Sequence, residues 1–477
     1  MNWKSVFGVY GFLLILLAVS MLLPMFWALY YGTPDWKAFA LSVPLVGALG
    51  LLLFRHKGDL SVGPRESYLI VAGGWVISSL AAALPYVLSG VIPNPVDAVF
   101  ESVSGFTTTG ATIMPVVEVP AAGVLFWRSY LHWLGGMGII LIFLAFVPKA
   151  SGGGAFLFRA EVPGPEVERL TPRLRQTASS LLAIYGGMTV LETVLLCVAG
   201  MSLYDALIHA FGSVATGGFS NKNLSVGAYQ NPWIHYIILI FMLLAGMNFS
   251  LFYKALTTRS IKRVFLDKES QLYLAIIVIA TVIIAANVYE ELGVPEALHH
   301  GSFQVVSVIT TTGYITKDFD KWPDLSRAVL LLLMFVGPCS GSTGGSVKVV
   351  RYLVIFKSVF REIRRMVHAK AVLPLRIGDH VISENTVRTV LVFTLTYLGC
   401  ALIGTFFLLG LGLDMVSAVS GVAATLGNIG PGLGAVGPMF SFALVPPAGK
   451  ILLTFLMLLG RLEIFTVLIT LAPAFWR

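Results

Sequence analysis

Four short stretches of threonine and glycine contain the residues with the clearest chemical potential in this sequence. Two of them, Thr107-Thr-Thr-Gly110 and Thr310-Thr-Thr-Gly313, are identical, and the stretches around Gly218 and Gly427 are related to them. Their backbone carbonyls and hydroxyls are neutral oxygen ligands, which can replace the hydration shell of a cation. Glycine permits backbone angles that a Cβ atom disfavours. Because these stretches contain no carboxylate, they favour a monovalent cation over a divalent one.

The composition indicates where these stretches lie. Of the 477 residues, 57% are hydrophobic and 12% are charged, whereas a soluble protein carries roughly 25% charged residues. Apolar runs of about 20 residues or more, long enough to cross a bilayer, recur along the chain. Backbone that is neither helix nor barrel exists at membrane depth only where protein buries it or where it lines water. The sequence therefore predicts an all-α polytopic protein in the lipid bilayer, with the threonine–glycine loops lining a pore.

The helices that must position the loops follow a repeated pattern. Two N-terminal spans, at residues 6–31 and 36–54, precede four passages that each contain a span, a short pore helix, a loop and a second span. The predicted first spans are 67–90, 178–200, 271–289 and 386–411. The predicted pore helices are 95–108, 203–216, 296–311 and 414–425, and the second spans are 127–147, 233–256, 328–350 and 448–472. The pattern divides the chain into a two-span unit, 1–60, and four pore repeats around a pseudo-fourfold ion pore, 61–175, 176–268, 269–376 and 377–477.

A constant spacing sets the register of the loops. Asp97, Asp205 and Asp414 each lie thirteen residues before a loop glycine, and His300 has the matching place before Gly313. Aspartate at the start of a helix satisfies free backbone N–H groups, so the three aspartates are predicted N-caps; attraction of cations to the pore mouth is the alternative. The spacing favours Gly218 over Gly217 in the second loop. The candidate ion ligands are Thr108, Thr109, Gly110, Thr216, Gly217, Gly218, Thr311, Thr312, Gly313, Leu426, Gly427 and Asn428.

A second cluster of helix-breaking residues interrupts the second span of the third repeat. Five glycine or proline residues in a short stretch do not support a continuous helix, and broken helices in transport proteins lie beside the permeation path. A kink for helix packing is the alternative. The candidate gate residues here are Gly337, Pro338, Ser340, Gly341, Ser342, Thr343, Gly344 and Gly345.

Arg461 lies inside the last apolar span. A charged residue at membrane depth is costly and points to a function. We predict that Arg461 faces the pore beneath the loops, resists the passage of cations and hydrogen-bonds the broken helix. The alternative is a structural pair with Glu463 or Glu192.

The charges indicate topology rather than a polyanionic partner. If the N-terminus is cytoplasmic, alternation of the spans places 24 of the 32 Lys and Arg residues on the same side as that terminus. This is the pattern of the positive-inside rule, so both termini are predicted to be cytoplasmic and no nucleic-acid binding is expected. The three cysteines have no spacing typical of disulfides or metal ligands.

The four span–pore-helix–span units, with a glycine in each loop, resemble the Trk/Ktr/HKT superfamily of potassium transporters, and the two extra N-terminal spans resemble its bacterial TrkH/TrkG branch. The resemblance implies K⁺ uptake across the bacterial inner membrane through a gated, channel-like pore, with K⁺ held at the loop residues. It also implies that the broken helix blocks the pore below the filter. A homodimer and a cytoplasmic RCK-type nucleotide-binding regulatory subunit (TrkA-like) are the implied partners. The ion is the transported species, and no cofactor is expected on this chain.

Two other functions compete with this interpretation. A K⁺ symporter coupled to H⁺ or Na⁺ needs carboxylates at membrane depth, and the apolar spans contain few, Glu192 and Glu463. A membrane enzyme needs a paired nucleophile and base or a metal-binding histidine cluster. The histidine spacing predicts neither, so the chain is not expected to be an enzyme.

Overall fold

The computed structural model describes residues 1–56, 62–138, 174–260, 262–368, 371, 373–378 and 380–477. The first half of the chain contains α1 (Trp3–Ser20), α2 (Leu22–Tyr30), α3 (Trp36–Arg55), α4 (Pro64–Ala82), α5 (Leu84–Leu88), α6 (Pro95–Phe106), α7 (Ala122–Gly136), α8 (Leu174–Val198), α9 (Leu203–Val214), α10 (Pro232–Ala245) and α11 (Phe249–Thr258). The second half contains α12 (Lys262–Leu266), α13 (Lys268–Leu292), α14 (Val294–Ile309), α15 (Asp324–Phe335), α16 (Val349–Val367), α17 (Glu384–Gly410), α18 (Met415–Leu426), α19 (Pro447–Arg461), α20 (Phe465–Leu471) and α21 (Pro473–Trp476). The described strands, β1 (Arg376–Ile377) and β2 (His380–Val381), form one short antiparallel pair.

The helices confirm an all-α polytopic membrane protein. Six of them, counting α1–α2 and α4–α5 as single spans, are long and apolar enough to cross a bilayer, and two bent pairs raise the number to eight. At the N-terminus α1 packs closely on α3, because Gly11 and Gly50 leave room for the two backbones to meet. The predicted repeat boundaries remain predictions.

Two of the second spans are not the continuous helices that the sequence predicted, and a third has the interruption that the sequence predicted. The span predicted at 233–256 is bent by 92° between α10 and α11, and the one at 448–472 is bent by 118° between α19 and α20. The span predicted at 328–350 is interrupted over residues 336–348, between α15 and α16. In the first repeat α7 ends at Gly136, and the predicted continuation, 139–147, lies outside the described residues. Glycine, asparagine and left-handed residues at these points leave the helical hydrogen-bond ladder incomplete.

The four short helices α6, α9, α14 and α18 lie in the centre of the protein. Phe100, Val214, Val308 and Val422, one from each helix, are fully buried. Two main apolar clusters surround the four helices: one is formed mainly by α1–α7 with α17–α20, and the other mainly by α8–α16 with residues of α18 and the loop after it. Because protein covers them on all sides, the non-helical loops that follow can exist at this depth.

The N-caps of these helices correct the predicted register. Asp414 caps α18, and its carboxylate accepts a hydrogen bond from the Ser417 N–H at 3.0 Å. The caps of α6 and α9 are instead Asn94 and Ser202, so Asp97 and Asp205 lie in the first turn. Asparagine and serine cap as well as aspartate, so the acidic residue alone did not mark the cap. His300, the predicted counterpart in the third repeat, lies inside α14, which begins after Gly293.

Candidate functional site

The loops after the four short helices share one backbone conformation. The second residue past each helix is left-handed although none of the four is glycine, with φ of 53° at Thr108, 53° at Thr216, 60° at Thr311 and 55° at Asn428. Two residues later comes a glycine with positive φ, at Gly110 (79°), Gly218 (77°), Gly313 (83°) and Gly430 (107°). The residue between them donates its N–H back to the helix, as Thr312 does to the Ser307 carbonyl at 2.9 Å and Ile429 to the Ala424 carbonyl at 2.8 Å. Three different sequences, two of the four loops being identical, therefore form the same turn.

The four loops close into a ring. A Cβ atom added at any of the four glycines would lie closer than 3.0 Å to a carbonyl oxygen of the next loop. The contacts run from Gly110 to Gly217, from Gly218 to Thr312, from Gly313 to Ile429, and from Gly430 to Thr109. We call the carbonyls of Thr109, Gly217, Thr312 and Ile429 the carbonyl ring. Glycine is required next to each carbonyl for two reasons, the positive φ and the lack of space for a side chain.

The ring glycine of the fourth loop is Gly430, so the predicted assignment of Gly427 is wrong in register. Gly427 has a φ of −80° and ends α18, where it has the same place as Thr107, Ala215 and Thr310 in the other loops. Leu426 is the last residue of that helix, whereas Asn428 does lie in the loop, at the left-handed position. The acidic residues do not mark equivalent positions, because Asp414 is an N-cap whereas Asp97 and Asp205 lie three residues past their caps. A constant distance from the aspartate therefore indicates the wrong glycine in the fourth loop. When counted from the N-caps Asn94, Ser202 and Asp414, the ring glycine lies sixteen positions later in each of the three loops.

The four ring glycines line one cavity. This cavity has a volume of about 300 Å³, and Gly110, Gly218, Gly313 and Gly430 are all among its lining residues. Its polar lining also includes Thr112, Ser220, Arg128 and Lys222. The loops thus surround a shared space that a cation could enter.

The left-handed residues connect three of the loops to groups that lie beside the ring. Thr311 Oγ1 accepts a hydrogen bond from the Gly345 N–H at 2.9 Å, and Thr216 Oγ1 donates to Thr343 Oγ1 at 3.2 Å. Thr108 Oγ1 accepts from Arg461 Nη1 at 3.3 Å. The candidate gate groups therefore contact the loops directly.

Residues 336–348, which we call the broken segment, form a compact non-helical loop between α15 and α16. Val336 and Val347 pair at its two ends, where the Gly337 N–H donates to the Val347 carbonyl at 2.6 Å. Lys348, the buried last residue of the segment, donates from its side chain back to the Gly344 carbonyl and, at 3.4 Å, to Ser342 Oγ. The Ser340 N–H donates to Glu269 Oε1 at 2.6 Å. Thirteen non-helical residues are a break, which confirms the predicted interruption and excludes a simple kink.

The eight predicted gate residues of the broken segment have different neighbours. Thr343 and Gly345 bond to loop residues, and a Cβ on Gly344 would lie 2.7 Å from the Thr310 carbonyl. Gly341 accepts instead from the Phe249 N–H at the start of α11, at 3.0 Å. Ser340 and Ser342 bond within the segment or to α13, and Gly337 and Pro338 form its beginning. The contact with the loops is thus made by residues 343–345.

Arg461, the last residue of α19, joins the broken segment to α7. Its Nη1 donates to the Thr343 carbonyl at 2.6 Å, and its Nη2 donates to the carbonyls of Gly135 and Gly136 at 2.5 and 2.8 Å. Gly460 lets α19 lie against the fourth loop, since a Cβ there would be closer than 3.0 Å to the Leu426 carbonyl. The predicted hydrogen bond to the broken segment is present, while the barrier role of Arg461 stays a prediction.

The proposed carboxylate partners of Arg461 have other contacts. Glu463 forms an ion pair with Arg351 of α16. Glu192 of α8 accepts a hydrogen bond from Ser213 Oγ of the short helix α9 at 2.5 Å, so it joins these two helices. Among the described residues, no group of three or more His, Cys, Asp or Glu side chains is placed to hold a metal ion. The ligands available at the ring are neutral oxygens.

Sequence reasoning missed Gly430 and a buried ion pair, Glu101–Arg128, beside the ring. Gly430 could have been found by aligning the helix caps rather than the acidic residues. Glu101 and Arg128 are charged residues within apolar segments, the same signal that singled out Arg461.

Apolar helices long enough to span a membrane, four short central helices and a closed ring of carbonyls define a multi-pass membrane protein of the ion-transport class. The sequence matches the TrkH family model, described as a cation transport protein, over residues 38–477, and the chain belongs to this family. It is 38% identical to the Trk system potassium uptake protein TrkH of Salmonella typhimurium over 489 residues, with both chains covered in full. It is 34% identical to the Trk system potassium uptake protein TrkG of Escherichia coli, over 98% of this chain and 97% of that one.

A solved structure agrees with the family assignment. The crystal structure of the potassium transporter TrkH from Vibrio parahaemolyticus superposes with a TM-score of 0.89 at 35% identity, and all of both chains is covered. The resemblance inferred from the sequence is therefore confirmed, as is a transport rather than an enzymatic function.

Proposed function

We propose that this chain takes up K⁺ across the bacterial inner membrane through a gated, channel-like pore whose selectivity filter is the carbonyl ring. The observation that carries the proposal is the closure of the four loops around one cavity, each loop in contact with the next. Rings of backbone carbonyls replace the hydration shell of K⁺ in selective pores. The relatives named as potassium uptake proteins support K⁺ as the ion.

The electrostatics of the ring suit a monovalent cation. The loops contribute neutral oxygens, and each follows the C-terminal end of a short helix. That end carries a partial negative charge from the helix dipole, which favours a cation. Glu101, the carboxylate beside the first loop, is neutralised by Arg128 at 2.6 Å. A divalent ion would lack the ionised ligands that its dehydration requires.

The gate of the proposed pore is formed by the broken segment and Arg461. A guanidinium group bound to carbonyls just beyond the ring repels an arriving cation, and its hydrogen bond to Thr343 holds the segment in place. Arg461→Ala removes both effects, so K⁺ flux into proteoliposomes should rise. A flux equal to or below that of the wild type would contradict the barrier role.

The proposal includes the orientation and partners that the sequence implied. Both termini lie in the cytoplasm, where a ring of RCK-type nucleotide-binding subunits (TrkA-like) opens or closes the pore of a homodimer. The support is the distribution of Lys and Arg for the orientation and the family resemblance for the partners. Light scattering of the purified protein tests the dimer, which requires twice the chain mass of 51.5 kDa.

The decisive experiment is flux of K⁺ or Rb⁺ into proteoliposomes in competition with Na⁺. Gly313→Ser inserts a side chain between the third loop and the Ile429 carbonyl and should abolish the preference for K⁺. Gly399→Ser on α17, where a Cβ would meet open space, is the matched control. If Gly313→Ser leaves both flux and preference at the wild-type level, the ring is not the filter.

The alternative within the transport class is K⁺ symport with H⁺ or Na⁺. The reversal potential separates the two: a channel follows the K⁺ gradient alone, whereas a symporter shifts with pH or Na⁺. Of the carboxylates at this depth, the buried Glu101 and the half-buried Glu463 have cationic partners, which favours the channel, while the buried Glu192 bonds the neutral Ser213.

A further inference from the structure

We propose that the buried ion pair between Glu101 and Arg128 positions the carbonyl ring and thereby sets the ion preference of the pore. This inference rests on the proposed function, in which the ring is the filter. Glu101 lies on the short helix α6 and Arg128 on α7, and both are almost fully buried, with relative exposures of 0% and 1%. Arg128 Nε donates to Glu101 Oε1 at 2.6 Å.

The carboxylate holds the first loop. Glu101 Oε2 accepts a hydrogen bond from the Ile113 N–H at 2.8 Å, and Oε1 accepts one from Thr112 Oγ1 at 3.0 Å. Thr112 and Ile113 follow the ring glycine Gly110 by two and three residues. The side chain thus fixes the chain as it leaves the ring.

The guanidinium group holds the second loop and links it to the first. Arg128 Nη1 donates to the Ser220 carbonyl, two residues past Gly218, at 3.1 Å, and its Cζ lies 4.1 Å from the centre of the Phe219 ring. Nη2 donates to Thr112 Oγ1 at 3.0 Å. All three guanidinium nitrogens are therefore used, in three directions that the compact ammonium group of lysine cannot match.

The next junction of the ring is built differently. Between the second and third loops, Tyr314 donates its hydroxyl to the Phe219 carbonyl at 3.2 Å, and the Gly227 N–H donates to the Ile315 carbonyl at 3.0 Å. These are neutral hydrogen bonds. Between the first and second loops, the Glu101–Arg128 pair forms charge-assisted bonds instead, which are shorter and roughly twice as strong.

The position of the pair relative to the cavity gives it a second consequence. Arg128 lines the cavity above the ring, so its charge would repel cations if Glu101 did not neutralise it. Loss of the carboxylate therefore lowers the entry of every cation and also frees the first loop. Replacement of the guanidinium by the ammonium group of lysine frees both loops but keeps a cationic group that Glu101 can neutralise.

The test compares permeability ratios for K⁺, Rb⁺ and Na⁺ in proteoliposomes containing Arg128→Lys, Glu101→Gln or the wild type. Both variants weaken charge-assisted hydrogen bonds that hold the loops, so we expect the K⁺/Na⁺ ratio to fall by about tenfold or more in each, which corresponds to about 1.4 kcal/mol. Total cation flux should fall further in Glu101→Gln than in Arg128→Lys. The ratio is independent of how much protein folds and inserts, which separates a loss of positioning from a loss of protein.

The matched control is Asp324→Asn, which breaks an ion pair with Arg327 at a side chain that is 97% exposed. It should keep the wild-type ratios. If both pair variants keep them as well, the pair only stabilises the fold and the inference is overturned. If the wild type itself shows no preference for K⁺, the proposed function is contradicted instead. The inference about the pair is then supported if its variants shift the permeability ratios away from those of the wild type, and overturned if they do not.

Discussion

The third and fourth loops form the same turn from different residues. In the third loop, Thr310 and Thr312 share a hydrogen bond between their hydroxyls at 2.8 Å, on either side of the left-handed Thr311. In the fourth loop the corresponding residues are Gly427 and Ile429, which have no hydroxyl. Asn428 at the left-handed position instead reaches across to the first loop and donates to Thr109 Oγ1 at 2.9 Å.

This difference shows that the backbone turn, rather than the threonines, is what the four loops have in common. A left-handed conformation is unfavourable for a β-branched residue such as threonine and far better tolerated by asparagine. The left-handed threonines are held in place by bonds to the broken segment, at Thr216 and Thr311, or to Arg461, at Thr108. The fourth loop instead uses a residue that suits the turn. Strained backbone that persists in this way is typical of functional sites.

The largest effect should come from Gly430→Ser, which tests whether the fourth loop carries a ring glycine as the third does. A left-handed serine costs about 1–2 kcal/mol, and its Cβ would also lie 2.9 Å from the Thr109 carbonyl. We expect the K⁺/Na⁺ ratio to fall by about tenfold or more, as in Gly313→Ser. The measurement is competitive flux, with Gly399→Ser as the control. A normal ratio in Gly430→Ser together with a lost preference in Gly427→Ser would show that Gly427, as the sequence predicted, is the ring glycine of the fourth loop.

Asn428→Ala should have the next largest effect, because it removes the bond that joins the fourth loop to the first. Asn428 Nδ2 also donates to the Met457 carbonyl at 3.0 Å. Leaving such buried groups without partners costs about 1–3 kcal/mol, so the melting temperature in detergent should fall. Asn385→Ala, at an exposed position at the start of α17, should melt with the wild type. Equal melting of all three proteins would show that the cross-loop bond contributes nothing.

Thr311→Val tests the corresponding bond of the third loop, which runs to the broken segment. Valine keeps the shape of the side chain but cannot accept the Gly345 N–H. If the broken segment is the gate, the flux of K⁺ measured without a regulatory partner should rise by a few-fold, because the loss of one hydrogen bond costs the closed state about 1 kcal/mol. Thr396→Val on α17, whose hydroxyl bonds only within its own helix, is the control. An unchanged flux would mean that this bond does not hold the segment closed.

The smallest effect concerns the N-terminal ends of α14 and α18, the short helices that precede the third and fourth loops. Gly293, before α14, has φ of 77° and ψ of 157°, a conformation that only glycine adopts readily, whereas Asp414 caps α18 through its side chain. Asp414→Ala should cost about 1 kcal/mol of stability at neutral pH, and Asp414→Asn, which keeps a capping oxygen, much less. Thermal unfolding in detergent measures both.

The pH dependence of the cap has a defined sign. Hydrogen bonds from the side chain and backbone N–H of Ser417 hold the pKa of Asp414 below its ordinary value. The charged cap therefore stabilises the folded state above the ordinary pKa of aspartate, about 3.9, and this contribution is lost as the pH falls through the lowered folded-state value. The stability difference between the wild type and Asp414→Asn should shrink over that range, and a difference that is constant with pH would contradict the role of the charge.

Much of the fold could be read from local patterns. The two N-terminal spans, the first spans of the repeats and the four short helices follow from apolar length and turn residues, and the break after Phe335 follows from its density of glycine. The bends at 246–248 and 462–464 could not be read in this way. Leu462, Glu463 and Ile464 include no glycine or proline, yet Glu463 and Ile464 have positive φ of 54° and 52° shortly after Arg461, the last residue of α19.

The candidate site was predicted in its chemistry and partly missed in its geometry. The sequence alone determined a membrane protein with four glycine-bearing loops and a costly arginine beside them, because hydrophobicity, glycine content and buried charge are local properties. Only the tertiary structure decided that Gly430 rather than Gly427 joins the ring, and that Glu101 and Arg128 clamp two loops together. Those facts depend on which carbonyl meets which glycine across loops that are distant in the sequence, and no spacing within one loop records such a contact.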